Sequence, residues 1–245
     1  MTSDTKQTEL VAASPQRLRE LTTHARVVLW DFDGPICRLF AGHPAQEVAA
    51  GLLDWLEGRG LHGLLPVGER QTEDPHEVLR DVDRRHPDSD LVTELEERLT
   101  QEELLAVRSA MPTAYADPLI RTLTAVGSRL AIVTNNSPKV VREYLGTRDL
   151  LACFGPHIYG RSEELQYLKP HPRNLNRALT AMGAAPPTAL FIGDTPTDYE
   201  AAREAGVPFL GYARNERKVK QLKEAGATDI VGSLEPLLGA VRSGG

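Results

Sequence analysis

Two aspartates separated by one residue follow a short apolar run near the start of the chain. Residues 27–30 are apolar and run directly into Asp31 and Asp33, and Gly34 follows. Such a run predicts a strand that is buried on both faces of a parallel sheet. Because side chains alternate along a strand, both carboxylates would point the same way at its end, where open α/β sheets bind ligands. Alone the pair is a weak signal, since Asp-x-Asp also occurs in loops and calcium sites.

Two further polar clusters follow later in the chain. Thr134 and Asn135 end a second apolar run, and a hydroxyl beside a helix N-terminus can hold phosphate oxygens. An ordinary Asx turn with a helix cap would explain the same residues. Lys169 could neutralise both a carboxylate and a phosphate, although a lysine in a loop is usually solvated. Pro170 and Pro172 restrict the backbone here and favour a fixed position for this lysine.

A fourth cluster again places acids after an apolar run. Asp198 lies four positions after Asp194, so the start of a helix could bring both carboxylates toward one point. Carboxylate oxygens suit a hard cation such as magnesium. Helix capping by Asp194 or Thr195 is the alternative explanation. Each cluster is predicted to lie at the C-terminal end of a strand of one parallel sheet, and this common placement favours a shared ligand site.

Short apolar runs alternate with amphipathic segments from residue 115 onward. This alternation predicts a doubly wound parallel sheet, and the fold class is therefore α/β. The predicted strands after this point cover 129–134, 157–159, 189–192, 208–212 and 228–231. The predicted helices cover 117–126, 138–145, 172–182, 196–205, 215–224 and 234–241.

The residues between the first strand and this region have helical periodicity and no strand-like run. Candidate helices cover 44–57, 74–85 and 89–108, with Asp74 and Ser89 as start signals. We therefore predict an all-helical insertion, joined by turn-rich linkers that would let it move as a lid. The predicted division is a tail and short helix (1–24), a core (25–36 and 116–245) and a helical cap (37–115).

Composition limits the classes of partner. The chain of 245 residues is 41% apolar, enough for a substantial core, and its net charge of −6 gives no broad positive field for nucleic acid or acidic membranes. A phosphorylated small molecule would need local cations. No apolar run approaches the ~20 residues of a membrane span, and Cys37 and Cys153 suggest no disulfide framework. We expect a soluble cytoplasmic protein, either a monomer or a homodimer.

The four clusters, in this order, resemble the four motifs of the haloacid dehalogenase-like (HAD) hydrolase superfamily. They are Asp31-Phe32-Asp33-Gly34, Thr134-Asn135, Lys169-Pro170 and Gly193-Asp194-Thr195-Pro196-Thr197-Asp198. The similarity runs from residue 27 to the C-terminus, and the helical insertion lies where this superfamily carries its helical cap. The resemblance implies a Rossmann-like core and a Mg²⁺-dependent phosphatase of the phosphoglycolate phosphatase-like group. Pro35 stands where threonine is more usual, which we expect to alter the turn rather than the chemistry.

The resemblance also implies roles for individual residues. Asp31 would be the nucleophile that forms an aspartyl-phosphate, and Asp33 would protonate the leaving oxygen and then activate water. Thr134 and the amide of Asn135 would bind the transferring phosphoryl group. Lys169 would bridge that group to Asp31.

Magnesium would be held by Asp31, the backbone carbonyl of Asp33 and Asp194, with Asp198 binding directly or through water. Since the dehalogenase branch has no acid at the position of Asp33, this residue favours phosphate esters of a small metabolite. A β-phosphoglucomutase-like phosphomutase would keep the same core residues and stays open. So does a regulatory protein that binds a phosphorylated ligand without turnover.

Residues of the insertion would select the substrate. The candidates for substrate contact, near the two linkers, are Arg38, His43, Arg108 and Tyr115. The residues predicted to lie on a solvated surface are Arg80, Arg84, Arg85, His62, His76 and His86.

Overall fold

The computed structural model describes residues 13–61 and 72–243, so most of the predicted tail lies outside the described residues. Eight strands are formed: β1 (Val27–Trp30), β2 (Cys37–Arg38), β3 (Met111–Pro112), β4 (Arg129–Val133), β5 (Ile158–Tyr159), β6 (Ala189–Gly193), β7 (Phe209–Tyr212) and β8 (Ile230–Val231). Six of them form a parallel sheet in the order β5-β4-β1-β6-β7-β8. This is the 3-2-1-4-5-6 order of a Rossmann-like sheet, and its switch point lies between β1 and β6. The predicted α/β fold class is confirmed.

Eleven α-helices occur in the described ranges. They are α1 (Pro15–His24), α2 (Ala45–Gly58), α3 (Pro75–Arg85), α4 (Asp90–Val107), α5 (Ala116–Ala125), α6 (Pro138–Thr147), α7 (Leu151–Phe154), α8 (Arg173–Ala181), α9 (Pro196–Ala205), α10 (Glu216–Ala225) and α11 (Glu235–Ser243). None of these helices combines the length and the apolar character that crossing a membrane requires.

The central strand β1 shows why its sequence is continuously apolar. Val28 and Trp30 pack into one apolar cluster, with helices α1, α5, α6 and α11. Val27 and Leu29 pack into a second cluster on the opposite face, with helices α8, α9 and α10. Since side chains alternate along a strand, a strand covered by helices on both faces needs apolar residues at every position.

The helix starts agree with the capping signals in the sequence. Asp74 Oδ1 accepts a hydrogen bond from the backbone N–H of His76 at 2.9 Å, and Ser89 Oγ accepts one from Val92 at 3.4 Å. These contacts satisfy N–H groups that have no partner within the helix. Both predicted start signals are confirmed.

Helices α2, α3 and α4, which we call the helical insertion, have an apolar cluster of their own. Val48, Leu79 and Leu95 are fully or almost fully buried in it. Leu165 and Leu168, which precede Lys169, join the same cluster, so the insertion packs directly on a loop of the sheet domain. The three predicted helices are confirmed, whereas the predicted domain boundaries stay a prediction.

The two linkers of the insertion pair with each other. Strands β2 and β3 are antiparallel, with Cys37 opposite Pro112 and Arg38 opposite Met111. The sequence pattern of both segments indicates only turn-rich linkers, because a strand of two residues is too short to show alternation.

One surface prediction for the insertion is wrong. His76 is not a surface residue: its side chain is only 13% exposed, and its Nε2 lies 3.0 Å from Glu103 Oε1 and its Nδ1 3.2 Å from Asp74 Oδ1. Burial alone would lower the pKa of His76, but the two carboxylates raise it to about 9. His86 is exposed as predicted, and His62 lies outside the described residues.

Arg80 also departs from the prediction of a solvated arginine face. Its Nη1 donates to the backbone carbonyl of Lys169 at 3.1 Å. Its neighbours behave differently, since Arg84 pairs with Asp81 on the same helix and Arg85 donates to the Asp81 carbonyl at 2.9 Å. Helical periodicity predicts which residues of α3 share a face. It does not predict that Arg80 on this helix contacts the loop that carries Lys169.

The pKa of His76 predicts a pH-dependent stability. Because its folded pKa lies above the ordinary value near 6.5, the protonated ring stabilises the fold fully below about pH 6.5, and this contribution is lost as the pH rises through 9. We expect the free energy of unfolding of the parent to fall by up to about 3 kcal/mol more than that of His76→Gln between pH 6.5 and 9.5. Urea unfolding at several pH values measures this difference.

The matched control is His86→Gln, which changes an exposed histidine just beyond the same helix. It should keep the pH dependence of the parent. A parallel pH profile for the parent and His76→Gln would contradict the raised pKa.

Candidate functional site

The C-terminal ends of β1 and β6 bring three of the predicted acids together. Asp31 follows β1, Asp194 follows β6, and Asp198 lies in the first turn of α9. One oxygen of each of these three carboxylates lies within 4.8 Å of the others, and all three residues are buried. The Asp31 backbone N–H donates to Ile192 at 2.8 Å, which continues the β1–β6 pairing up to the acids. The clustering of Asp31, Asp194 and Asp198 is thus a product of the sheet's switch point.

Glycines allow the close approach of these loops. Gly34 has φ +115°, and a Cβ at this position would lie 2.4 Å from Asp194 Cγ. A Cβ at Gly193 would lie 2.6 Å from Asp198 Cβ. The turn after Asp33 is closed by the Gly34 N–H, which donates to the Cys37 carbonyl at 2.6 Å, so Pro35 fits without an N–H of its own. A side chain at Gly34 or Gly193 would displace a carboxylate.

Lys169 lies among the acids, where its ammonium group can neutralise a carboxylate. Its Nζ donates to Asp31 Oδ1 at 2.7 Å, to Asp198 Oδ1 at 2.6 Å and to the Val133 carbonyl at 3.1 Å. Its backbone is held by the side chain of Asn135, which accepts from the Lys169 N–H at 2.8 Å and donates to its carbonyl at 3.2 Å. Burial lowers the pKa of Lys169, but Asp198 and Asp31 outweigh it and raise the pKa to about 12. The lysine therefore stays charged, and the alternative of a solvated lysine is excluded.

Asp198 takes part both in the capping of α9 and in the acidic cluster. Its Oδ2 accepts hydrogen bonds from the backbone N–H groups of Asp194 and Thr195, both at 3.0 Å, as part of a capping box. Its Oδ1 is directed to Lys169. One oxygen thus caps helix α9 while the other belongs to the acidic cluster.

Burial raises the pKa values of Asp31, Asp33 and Asp194. Burial is the largest cause and raises the pKa of Asp31 to about 7, with Asp198 adding to it and Lys169 opposing it. Burial also raises the pKa of Asp33 to about 6, although a hydrogen bond from the Leu39 N–H at 2.8 Å opposes this shift. The pKa of Asp194 rises to about 6, again chiefly through burial. Carboxyls with such values can exchange protons near neutral pH.

The predicted phosphate-binding residues lie at the end of β4. The Thr134 hydroxyl donates to Asn136 Oδ1 at 3.0 Å and accepts from the Asn136 N–H at 3.2 Å, which is a threonine turn rather than the Asx turn and helix cap offered as the alternative. Lys169 reaches this strand end through the Val133 carbonyl. Thr134 and Asn135 are therefore joined to the acidic cluster through Lys169, and phosphate binding by them stays a prediction.

The sequence profile of the haloacid dehalogenase-like hydrolases matches residues 25–206. The chain belongs to this family. It is 35% identical to a phosphoglycolate phosphatase of Salmonella typhi over 124 residues, which is 49% of this chain and 48% of that protein. The chain thus spans about half the length of the phosphoglycolate phosphatases it matches.

Solved structures of this family share the fold. A haloacid dehalogenase-like hydrolase from Bacteroides fragilis superimposes with a TM-score of 0.65 at 20% identity, over 87% of this chain and 99% of that one. A HAD family hydrolase from Deinococcus radiodurans, solved with bound phosphate and sodium, gives a TM-score of 0.58 at 24% identity, over 90% of this chain and 96% of that one. At such identities the likeness concerns the fold alone.

The donor set of this HAD chain fits a hard divalent cation. Asp194 Oδ1 is buried and has no hydrogen-bond partner, although buried carboxylate oxygens are normally paired. The three clustered groups offer only oxygen ligands, which Mg²⁺ prefers. The Asp33 side chain is not in this group, and the ligand role of its backbone carbonyl stays a prediction.

Lys218 is a residue of the site that the sequence analysis missed. Its Nζ lies 2.7 Å from Asp194 Oδ2 and 3.2 Å from the Asp194 carbonyl. Burial lowers the pKa of Lys218, but Asp194 outweighs it, and the pKa is raised. The one available signal was positional: α10 starts after the C-terminal end of β7, at the same edge of the sheet as the acids.

Two of the four candidates for substrate contact, Arg38 and His43, have side-chain partners in the insertion and its linkers. Arg38 Nη2 lies 3.0 Å from Met111 Sδ, and His43 Nε2 lies 2.8 Å from Glu102 Oε2. Tyr115 is exposed and has φ 66°. Their contact with a substrate stays a prediction.

Gly34→Ala tests whether close packing against Asp194 maintains the cation site. The added methyl group would displace Asp194, so we expect Mg²⁺ affinity to fall by about 10- to 100-fold, the usual cost of disturbing a ligand's support. Titration calorimetry with MgCl₂ measures the affinity.

Gly127→Ala is the matched control, because Gly127 also has a positive φ (+88°) but has nothing within 4 Å of an added Cβ. It carries a similar backbone strain and should leave the Mg²⁺ affinity unchanged. Equal affinities for the two variants would contradict the packing argument.

Proposed function

We propose that this chain is a Mg²⁺-dependent phosphatase that hydrolyses a small phosphorylated metabolite through an aspartyl-phosphate on Asp31. The observation that supports it best is the buried contact of the Lys169 ammonium with both Asp31 and Asp198, beside the carboxylate of Asp194. A phosphate dianion repels a carboxylate nucleophile, so the reaction needs cations between them. The arrangement supplies one cation and a donor set for another.

Asp31, Asp194 and the backbone carbonyl of Asp33 would hold Mg²⁺, with Asp198 binding it directly or through water. When bound, the ion would neutralise phosphate charge and favour the ionised form of Asp31. Thr134, the Asn135 amide and Lys169 would hold the phosphoryl oxygens. The common attachment of Thr134, Asn135 and Lys169 to one strand end supports this set.

The chemistry would proceed in two displacements. A carboxylate oxygen of Asp31 attacks phosphorus, the bond to the ester oxygen breaks, and Asp33 gives that oxygen its proton. Asp33, now ionised, takes a proton from water, whose oxygen attacks the same phosphorus and releases phosphate from Asp31. A pKa of about 6 suits Asp33 to both proton transfers near neutral pH.

The substrate would be a small molecule rather than a nucleic acid, given the net charge of −6. Phosphoglycolate is the first candidate, because the matched relatives are named phosphoglycolate phosphatases. Residues 37–115 would form the cap that selects the substrate. We place the protein in the cytoplasm, as a monomer or a homodimer.

Phosphate release from a panel of phosphorylated metabolites, with Mg²⁺ and with chelator, tests the proposal. We expect metal-dependent turnover, and we expect Asp31→Asn to reduce it by about 10⁴-fold or more because the nucleophile is lost. Asp54→Asn, at an exposed site of the insertion, is the control and should behave as the parent. Undiminished turnover by Asp31→Asn would refute the nucleophile. A requirement for a sugar bisphosphate would indicate a phosphomutase, and binding without phosphate release a regulatory protein.

Asp33→Asn should separate the two displacements. With p-nitrophenyl phosphate, whose leaving group needs no proton, we expect a burst of nitrophenol followed by steady turnover slowed by about 10²- to 10⁴-fold. Stopped-flow absorbance measures the burst, and acid quenching should recover phosphorylated protein. A variant with neither burst nor slow phase would contradict the role of Asp33 in water activation.

A further inference from the structure

A buried polar network joins the helical insertion to the loop after β4. Glu103 of α4 is completely buried and its carboxylate accepts two hydrogen bonds from this loop. Asn136 Nδ2 donates to Glu103 Oε1 at 2.9 Å, and the Ser137 backbone N–H donates to Glu103 Oε2 at 3.1 Å. A side chain of the insertion therefore supplies acceptors that residues 134–137 lack within their own segment.

Arg161 completes the network from the loop after β5. Its Nη1 donates to Glu103 Oε1 at 2.9 Å and to the Asn135 carbonyl at 3.1 Å. Its Nη2 donates to Glu103 Oε2 at 3.0 Å and to Thr100 at 2.9 Å, and its Nε donates to Glu96 at 2.9 Å. All five N–H groups of this guanidinium thus have acceptors, which fixes its orientation fully.

These contacts determine the orientation of Thr134. Because the Glu103 carboxylate can only accept when ionised, it requires the NH₂ group of Asn136 to face it. The oxygen of the same amide then faces Thr134 and accepts its hydroxyl hydrogen at 3.0 Å. A chain of directional hydrogen bonds thus runs from helix α4 to the Thr134 hydroxyl, whose single hydrogen would turn from Asn136 to a phosphoryl oxygen when that group binds.

We propose that Glu103 and Arg161 are positioning residues that hold Thr134 and Asn135 in the geometry needed to bind a phosphoryl group. The inference rests on the proposed function, in which Thr134 and Asn135 hold the phosphoryl oxygens. Docking of the helical insertion would then complete the phosphate-binding loop, in addition to any contact that the insertion makes with the substrate.

A second contact of the insertion reaches the other anion-binding loop. Arg80 of α3 donates to the Lys169 carbonyl at 3.1 Å, the same oxygen that receives the Asn135 side-chain amide at 3.2 Å. Leu168 packs in the apolar cluster of the insertion. The insertion therefore contacts both loops that would bind phosphate, the loop after β4 and the loop that carries Lys169. The Asn135 side chain links these two loops next to the contacts of the insertion.

A role in fold stability alone would not require the buried Glu103–Arg161 ion pair. Replacing a buried ion pair by apolar residues is often neutral or stabilising, so the pair is weak evidence for stability. The partners of Glu103 and Arg161 support positioning instead, because three of them are groups of the segment Asn135–Ser137.

Glu103→Gln and the double variant Glu103→Gln/Arg161→Met test the inference. The double variant removes both charges of this pair and keeps an amide acceptor at position 103, while His76 keeps Asp74 as a partner and Glu96 is partly exposed, so it preserves a measurable protein if the single variant is unstable. Binding of inorganic phosphate with Mg²⁺ is measured by titration calorimetry, and kcat and KM with p-nitrophenyl phosphate. We expect phosphate affinity to fall by about 10-fold and kcat by about 10²-fold, with a smaller change in KM, because the loop contacts oxygens that gain charge in the transition state.

Glu97→Gln is the matched control, since Glu97 lies on the same helix α4 but is exposed, away from the buried network. It should bind phosphate and turn over substrate as the parent does. Folded Glu103 variants with parental phosphate affinity and kcat would overturn this inference alone. A parent that neither binds nor releases phosphate would overturn the proposed function and this inference with it.

Discussion

The burial of three carboxylates within 4.8 Å of one another is the constraint on which the rest of this HAD structure depends. Lost hydration and repulsion by neighbouring acids both oppose the ionised forms of Asp31 and Asp194, and the raised pKa values of these two carboxyls express that cost. Lys169 compensates two of the acids and Lys218 the third. These charged side chains belong to segments that follow four different strands, β1, β5, β6 and β7. A parallel sheet brings them together because all its strands end at the same edge.

Close approach of the loops adds a second constraint, which is steric. Gly34 and Gly193 lie where any Cβ would meet a carboxylate, so the acids can be packed tightly only if these positions have no side chain. Glycine costs conformational entropy on folding, and the sheet and the capping box of α9 offset that loss locally. Asp198 has two roles in this packing, because its one carboxylate both caps helix α9 and pairs with Lys169.

The sequence allowed the parallel sheet, the helices of the insertion and the clustering of Asp31, Asp194 and Asp198 to be predicted, because each depends on local patterns. An apolar run that ends in Asp31 or Asp194 indicates a buried strand and its functional end, and caps such as Asp74 mark helix starts. Contacts between distant segments were not predictable in this way. Lys218 lies on a helix with many charged residues, where one lysine carries no distinguishing signal. Glu103 and Arg161 are 58 positions apart, so no periodicity relates them.

The interface between the insertion and the sheet domain uses two kinds of interaction with different consequences. Apolar contacts such as those of Leu165 and Leu168 favour burial but tolerate small displacements, because the hydrophobic effect has no direction. The Glu103–Arg161 pair tolerates them less, since a shift that breaks the pair leaves Glu103 with only His76, and Arg161 with only Glu96, as an oppositely charged partner. The apolar cluster therefore supplies attraction, and the polar network selects one docked arrangement. His76 holds Glu103 in place within the insertion, because the Nδ1–H and Nε2–H of its protonated ring donate to Asp74 and to Glu103 only when α3 and α4 keep this register. The sheet domain thus depends on the insertion for the shape of a loop that its own strands leave incompletely hydrogen-bonded.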